Sequence, residues 1–121
     1  MYDIIFFEDK YGRKEIEEYI IELKHKADNG NKDARIHFNK IVAYMDLLEE
    51  IGTRVGMPVT KHLEGEIWEL RPLNNRILYA YYENNTFILL HHFAKTTKKT
   101  PKREIEQAIK NLQDYQERYG R

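Results

Sequence analysis

FILLHHFAKTTKKTPKR, residues 87–103, joins a predicted strand to a predicted helix through a strongly basic segment. Residues 87–90 form an apolar run that is typical of a buried strand. Thr100 and Pro101 are typical of a helix N-terminus, with Thr100 as the N-cap and Pro101 in the first helical position. The cations of the segment, which contains no acidic residue, are Lys95, Lys98, Lys99, Lys102 and Arg103. Because like charges cannot share the interior of a strand, they must lie where the strand leaves the core. A cationic loop held in this way is suited to bind phosphate, and we predict that it forms the functional edge.

The remaining sequence predicts a single α+β domain over residues 1–121, with helices packed on an antiparallel sheet. The predicted elements are a strand at residues 2–7, a helix at 13–28, a second helix that ends near residue 51, an irregular loop at 52–65, strands at 66–71, 76–83 and 86–93, and a final helix after residue 100. Apolar residues at helical spacing define the helices, and Asn31 or Asp33 is expected to cap the second one. The last three strands are expected to form a meander, in which Asn84 and Asn85 make a two-residue turn because Asn tolerates positive φ.

Composition excludes several classes of protein. The chain contains no cysteine, so it has neither disulfides nor a cysteine-based zinc site. It contains no apolar run of about 18 residues, so we expect no contact with a membrane interior. The N-terminal residues do not follow the pattern of a signal peptide, and we therefore expect a soluble cytoplasmic protein. The net charge is zero, but residues 1–50 carry 12 acids and 8 bases whereas residues 51–121 carry 8 acids and 12 bases. This asymmetry predicts an acidic helical surface and a basic surface formed by strands and loops.

Three cations next to the predicted meander are candidates for a phosphate site. Arg71 ends the first strand, Arg76 begins the second and Lys95 follows the third. An arginine in an apolar strand rarely lacks a partner, so Arg71 either pairs with a carboxylate, such as Glu69 or one across the sheet, or binds phosphate. Arg76 is either solvated at its strand end or belongs to the same site.

The histidines do not predict a metal site. His91 and His92 are adjacent on a strand, so their side chains point to opposite faces and cannot readily bind one metal ion. The other histidines are scattered, and we expect neither a metal nor a cofactor. One histidine of the pair is expected to be hydrogen-bonded at the edge of the core. The other is expected to face the cationic edge, where it could move a proton near neutral pH.

The sequence has no glycine-rich phosphate loop and no Gly-x-Ser-x-Gly motif. The available Arg, Lys, His and Tyr side chains suit transesterification of an RNA phosphodiester, in which the 2′-hydroxyl of the RNA is the nucleophile. Tyrosines offer surfaces on which a splayed base can stack, although we expect most of the nine to fill the core and its rim. The residues that we assign to RNA binding are Lys61, Tyr82, Lys98, Lys99, Lys102 and Arg103.

Four sequence segments together resemble the HigB-like branch of the RelE/ParE toxin superfamily. They are residues 63–71 (LEGEIWELR), residues 75–80 (NRILYA), residues 89–101 (LLHHFAKTTKKTP), and Glu104-Ile105 with Ala108. Such toxins belong to bacterial toxin–antitoxin operons and are also found in prophages. The resemblance implies a compact toxin that cleaves mRNA without metal, usually on the translating ribosome. It also implies a cognate antitoxin, often with a helix-turn-helix, and binding to operator DNA only through that antitoxin.

The resemblance also implies roles for individual residues. Arg71, Arg76 and Lys95 match the basic positions of the family pattern. His91 matches its histidine and is expected to be structural, whereas His92 lies at a variable position and is the histidine that we assign to catalysis. The zero net charge departs from the family, since ribosome-cleaving relatives are often clearly basic.

Two alternatives to an mRNA endonuclease remain open at the level of sequence. One is a ParE-type toxin that poisons DNA gyrase, because the two activities share a fold. The other is a catalytically inactive module that binds an antitoxin and acts as its partner in repression. Intact mRNA together with a DNA-damage response would favour the first, and the absence of any effect of charge reversal at Arg76 and Lys95 would favour the second.

Overall fold

The computed structural model describes residues 1–120 as a mixed five-stranded sheet with helices on both faces. The elements are β1 (Asp3–Phe6), α1 (Glu15–Asp28), α2 (Lys32–Ile51), a 3-10 helix (Gly52–Val55), β2 (Thr60–Glu64), β3 (Ile67–Leu70), β4 (Asn75–Tyr82), β5 (Thr86–Ala94) and α3 (Lys102–Tyr119). The strand order is β1-β5-β4-β3-β2. β1 pairs with β5 in parallel, and all other neighbouring strands are antiparallel. The α+β class is confirmed.

The predicted irregular loop over residues 52–65 is wrong. This segment contains the 3-10 helix and β2, so the three-stranded meander becomes four antiparallel strands, and β1 makes the sheet mixed. β2 lies at the edge of the sheet, and only Thr60 among its five residues is buried. An edge strand with one buried residue lacks the apolar alternation from which strands are recognised.

Two apolar layers cover the faces of the sheet. One layer packs β3, β4 and β5 against α3 through residues such as Leu78, Leu90 and Ala108. The other packs the opposite face against α1 and α2 through residues such as Ile41 and Tyr79. Within residues 1–120, no helix is both long and apolar enough to cross a membrane.

The local signals at the turns and helix starts have mixed outcomes. Asn84 and Asn85 have φ values of 61° and 55°, which confirms the two-residue turn. Asn31 caps α2 by accepting a hydrogen bond from the backbone N–H of Ala34 at 2.9 Å. The predicted N-cap of α3 is wrong, because Pro101 is the N-cap and the helix begins at Lys102. The hydroxyl of Thr100 instead donates to the carboxylate of Glu69.

A bulge in β5 determines where the two histidines point. Leu78 pairs with His91 and Tyr79 pairs with Leu89, which leaves Leu90 as the extra residue. His91 therefore faces α3, where its Nε2 donates to Glu104 Oε1 at 2.7 Å. His92 faces the opposite side of the sheet.

The start of β4 is fixed by a buried asparagine that links three elements. Asn75 accepts a hydrogen bond from the hydroxyl of Tyr19 at 2.8 Å and donates to His37 Nδ1 at 2.9 Å. These bonds connect β4 to α1 and α2. They give Arg76, the next residue, a rigid backbone position.

Candidate functional site

A basic cleft lies where the end of β5 and the start of α3 meet β2 and β3. Its volume is about 700 Å³. The lining residues are Lys61, His62, Leu63, Glu64, Glu69, Arg71, Lys95, Lys98, Lys99, Thr100, Pro101, Lys102 and Ile105. Six of these side chains are basic and two are acidic, so the lining carries a formal charge of +4 in a chain whose net charge is zero. Such a concentration of positive charge creates a positive electrostatic potential in the cleft, which attracts anions.

Glu69 is the buried centre of this cleft. Its side chain is 0% exposed, and its Oε1 accepts a hydrogen bond from Arg71 Nη1 at 2.8 Å. Its other carboxylate oxygen accepts the hydroxyl hydrogen of Thr100. One carboxylate thus joins β3 to the basic loop, which we define as residues 95–101. The ion pair with Glu69, one of the alternatives for Arg71, is present.

Arg71 remains available to a ligand despite this ion pair. Its side chain keeps 19% of its surface exposed and lines the cleft. Its backbone N–H donates to the carbonyl of Val59 at 2.9 Å, which fixes the end of β3 against the start of β2. A guanidinium has five donors, so those that Glu69 does not use can bind phosphate.

Arg76 lies behind the cleft and does not line it. It is 6% exposed, and its Nη1 donates to the carbonyls of Leu73 and Asn75 at 2.6 and 2.7 Å. Its Nε lies 3.9 Å from Glu69 Oε1, which is too long for a hydrogen bond. Among the buried side-chain nitrogen and oxygen atoms of residues 1–120, this Nε is the one that has no hydrogen-bond partner. Burial and the positive charge of Arg71 lower the pKa of Arg76. Arg76 can therefore contribute a fixed positive charge to the cleft but no direct contact.

Lys95 directly follows β5 and lines the cleft. Its backbone N–H donates to the carbonyl of Asn74 at 2.7 Å, which fixes the start of the basic loop against the turn before β4. Desolvation, followed by the positive charges of Arg76 and Arg71, lowers the pKa of Lys95. Lys95 and Arg71 thus line the same cleft, and Arg76 lies behind it.

The outer cations are distributed unevenly. Lys61, Lys98, Lys99 and Lys102 line the cleft. Arg103 is absent from that lining, and its Nε lies 3.7 Å from Glu104 Oε2.

His92 and Tyr82 are not brought to the cleft. The ring of His92 stacks on Tyr19 with 4.8 Å between centroids and lines a separate cavity of about 370 Å³ beside α1. Burial and the neighbouring His91 lower the pKa of His92, and Glu15 partly opposes this shift. Tyr82 lies at the far end of β4, where its ring meets Tyr115 edge-on at 5.2 Å and its hydroxyl donates to the carbonyl of Gly120.

Seven lining residues were not assigned to the site from sequence, and three of them, Glu69, Thr100 and His62, make side-chain hydrogen bonds there. Glu69 was considered only as a partner of Arg71 and Thr100 only as a helix cap, yet they connect the two halves of the cleft. His62 also lines the cleft, where its Nε2 donates to the carbonyl of Gly65 at 2.8 Å. The signal that was available for Glu69 is its position inside an apolar strand, between Trp68 and Leu70. A carboxylate that the pleat directs into the core needs a buried cation or hydroxyl as a partner.

No group of three or more His, Asp or Glu side chains that could hold a metal ion occurs in the described part of the chain. The chemistry that the cleft itself offers is that of the six basic side chains in its lining. They can bind a phosphodiester and stabilise additional negative charge on it.

Comparison with known proteins places the chain in a family. The family of phage-derived Gp49-like proteins (DUF891) matches residues 28–113, and no curated protein matches the chain. The match covers more than half of the chain and includes strands β2 to β5 and every lining residue of the basic cleft. The chain therefore belongs to the Gp49-like phage-derived family, a toxin-like family related to the RelE/ParE-type toxins.

Proposed function

We propose that the chain is the toxin of a type II toxin–antitoxin pair, of the HigB-like kind, and that it cleaves mRNA on the translating ribosome. The observation that carries this proposal is the basic cleft, in which Arg71 and Lys95 converge in a lining of charge +4. The family relationship supports a toxin, and the chemistry of the cleft favours an RNA target.

In the proposed reaction, the RNA supplies the nucleophile. The 2′-hydroxyl gives up its proton to a water molecule and its oxygen bonds to the adjacent phosphorus. The bond from that phosphorus to the 5′ oxygen of the next nucleotide breaks, and this oxygen takes up a proton. The products are a 2′,3′-cyclic phosphate and a 5′-hydroxyl end. Such a reaction requires the protein to orient the backbone and to stabilise charge on the phosphate rather than to provide a nucleophile.

Arg71 and Lys95 are the residues to which we assign contact with the reacting phosphate. Arg71 offers a planar fork that matches two phosphate oxygens. Lys95 offers a compact charge, and its lowered pKa makes it a better proton donor to the departing 5′ oxygen than an ordinary lysine. Arg76 adds positive charge from behind, and Lys61, Lys98, Lys99 and Lys102 hold the flanking backbone. His92 and Tyr82 have no role in this scheme, because they lie elsewhere in the fold.

The proposed partner is a cognate antitoxin with a helix-turn-helix, through which the complex would bind operator DNA. The antitoxin would silence the toxin either by covering the cleft or by displacing the basic loop.

The proposal is tested by inducing the chain in cells and mapping the 5′ ends of mRNA. The variant carries Arg71→Ala and Lys95→Ala, and the matched control carries Arg54→Ala and Lys110→Ala. The control removes the same charge from exposed cations outside the cleft lining. We expect new 5′ ends within coding sequences for the unmodified chain and for the control, but not for the cleft variant.

Other outcomes would redirect the assignment. Growth arrest and a DNA-damage response with intact mRNA would indicate a ParE-type target. No growth effect from any of the three chains would indicate an inactive antitoxin-binding module. Arg76→Ala is better studied separately, because Arg76 is buried and supports the fold through Leu73 and Asn75.

A further inference from the structure

One carboxylate oxygen of Glu69 lies between two arginines that are held differently. Oε1 accepts a hydrogen bond from Arg71 Nη1 at 2.8 Å and lies 3.9 Å from Arg76 Nε. Arg71 is at the cleft surface, whereas Arg76 is buried and fixed by two backbone carbonyls. Of the two arginines, Arg71 is the one that can turn toward a ligand, and Arg76 is the one with a buried N–H donor, at Nε, that has no hydrogen-bond acceptor.

A phosphate that binds Arg71 through Nη1 competes with Glu69 for that donor, although the other donors of the guanidinium are free of Glu69. If Arg71 turned away and nothing else moved, Glu69 would lose its strongest partner while remaining fully buried. An uncompensated buried carboxylate is strongly unfavourable, because burial removes its hydration and nothing replaces it. A second donor close to Oε1 removes this difficulty.

We propose that Glu69 is a positioning residue that exchanges Arg71 for Arg76 when an RNA phosphate binds in the cleft. A shift of Oε1 by about 1 Å toward Arg76 brings the separation into the range of a hydrogen bond. The bond from the hydroxyl of Thr100 to the other carboxylate oxygen serves as the pivot. This inference rests on the proposed function, because it assumes that a phosphodiester binds at Arg71.

The exchange gives each arginine a distinct role. Arg71 is released to bind the phosphate, and Arg76 neutralises the carboxylate that would otherwise repel it. Because Thr100 stays bonded to Glu69, the basic loop remains seated during the exchange. The buried Nε of Arg76 acquires its hydrogen bond only in the RNA-bound state.

The direct test observes the Nε–Hε groups of Arg71 and Arg76 by nuclear magnetic resonance, with and without a short RNA that 2′-O-methyl groups make uncleavable. We expect the Arg76 Hε signal to move downfield and to exchange more slowly with water when the RNA binds. An Arg76 signal that stays unchanged while the Arg71 signal moves would overturn the exchange and leave the proposed function intact. No binding of the RNA would contradict both.

A matched pair of variants tests the same idea through affinity. Glu69→Gln and Glu64→Gln each remove one negative charge from the cleft lining, but only Glu69 bonds to Arg71. A glutamine at position 69 can still accept from Arg71 and donate to Thr100, so the fold should be retained. Because a neutral amide holds Arg71 more weakly than a carboxylate does, we expect Glu69→Gln to tighten RNA binding about tenfold more than Glu64→Gln. Equal changes in the two variants would overturn the proposal, since they would reflect net charge alone.

Discussion

Replacement of Glu69 by alanine is the most informative perturbation of the fold, because it removes a buried carboxylate that joins β3 to the basic loop. The variant loses two bonds, one from Arg71 and one from Thr100, and leaves the buried guanidinium of Arg76 without a nearby carboxylate. Breaking a buried ion pair by removing one partner lowers stability by about 3–5 kcal/mol. Arg71 keeps 19% of its side chain exposed and can be rehydrated, which places the expected loss at the lower end, about 3 kcal/mol.

The assay is equilibrium unfolding in urea, followed by circular dichroism. With a slope of about 1.5 kcal/mol per molar urea, the midpoint should fall by about 2 M without a change in slope. Glu83→Ala is the control, because Glu83 is exposed in the turn between β4 and β5, and it should change stability by less than about 0.5 kcal/mol. A loss for Glu69→Ala that is no larger than the loss for Glu83→Ala would refute the view that the carboxylate holds the cleft together.

Three further predictions concern packing and pH. Tyr79→Phe should lower stability by about 1–2 kcal/mol in urea unfolding, because the buried Tyr79 hydroxyl lies 2.5 Å from Thr60 Oγ1. Tyr81→Phe changes an exposed tyrosine and should have a smaller effect, and equal losses of stability in the two variants would contradict this prediction. Gly52→Ala should lower the free energy of unfolding by about 2–3 kcal/mol, because φ is +76° and a Cβ would lie 2.7 Å from the ring of Tyr2. Gly30→Ala is the control, because Gly30 has a φ of +95° but no atom within 4 Å of the added Cβ, and an equal loss of stability in the two variants would show that the contact with Tyr2 is unimportant. Burial and the neighbouring His91 lower the pKa of His92, so the unfolded chain binds a proton more readily and stability should fall as pH decreases from the ordinary histidine value toward the folded pKa. His92→Phe should reduce this pH dependence in unfolding curves measured across that range, and an unaltered slope would refute the assignment.

The helices and the hairpin turn could be predicted from sequence because their signals are local. Apolar residues at steps of three and four define α2 and α3, and Asn84 with Asn85 defines the turn between β4 and β5. β2 could not be predicted, because an edge strand with one buried residue has almost no apolar pattern. The cap of α3 was assigned wrongly because the partner that binds Thr100, the carboxylate of Glu69, lies 31 residues earlier in the chain.

The sequence could predict the residues of the candidate site that lie at strand ends, because neighbouring antiparallel strands bring such positions close together. Arg71, Arg76 and Lys95 all lie at or just beyond the ends of neighbouring strands, and the structure places Arg71 and Lys95 in the lining of the cleft with Arg76 behind it. Tyr82 shares a face of β4 with Arg76, but six residues along a strand separate them by about 20 Å. His92 faces α1 rather than the cleft because side chains alternate along β5 and the bulge at Leu90 directs His91 toward α3. Sharing a face or an adjacent position is therefore not enough to place two side chains in one site.

The measurement that most directly tests the central claim uses mRNA with a single 2′-O-methyl group at a mapped cleavage position, translated in a purified system. If the RNA supplies the nucleophile, the modified position should stay intact, while unmodified mRNA should yield a 2′,3′-cyclic phosphate and a 5′-hydroxyl end. The same cleavage of unmodified mRNA should be lost with Arg71→Ala and Lys95→Ala. Cleavage that persists at the methylated position would contradict the proposed chemistry of the basic cleft.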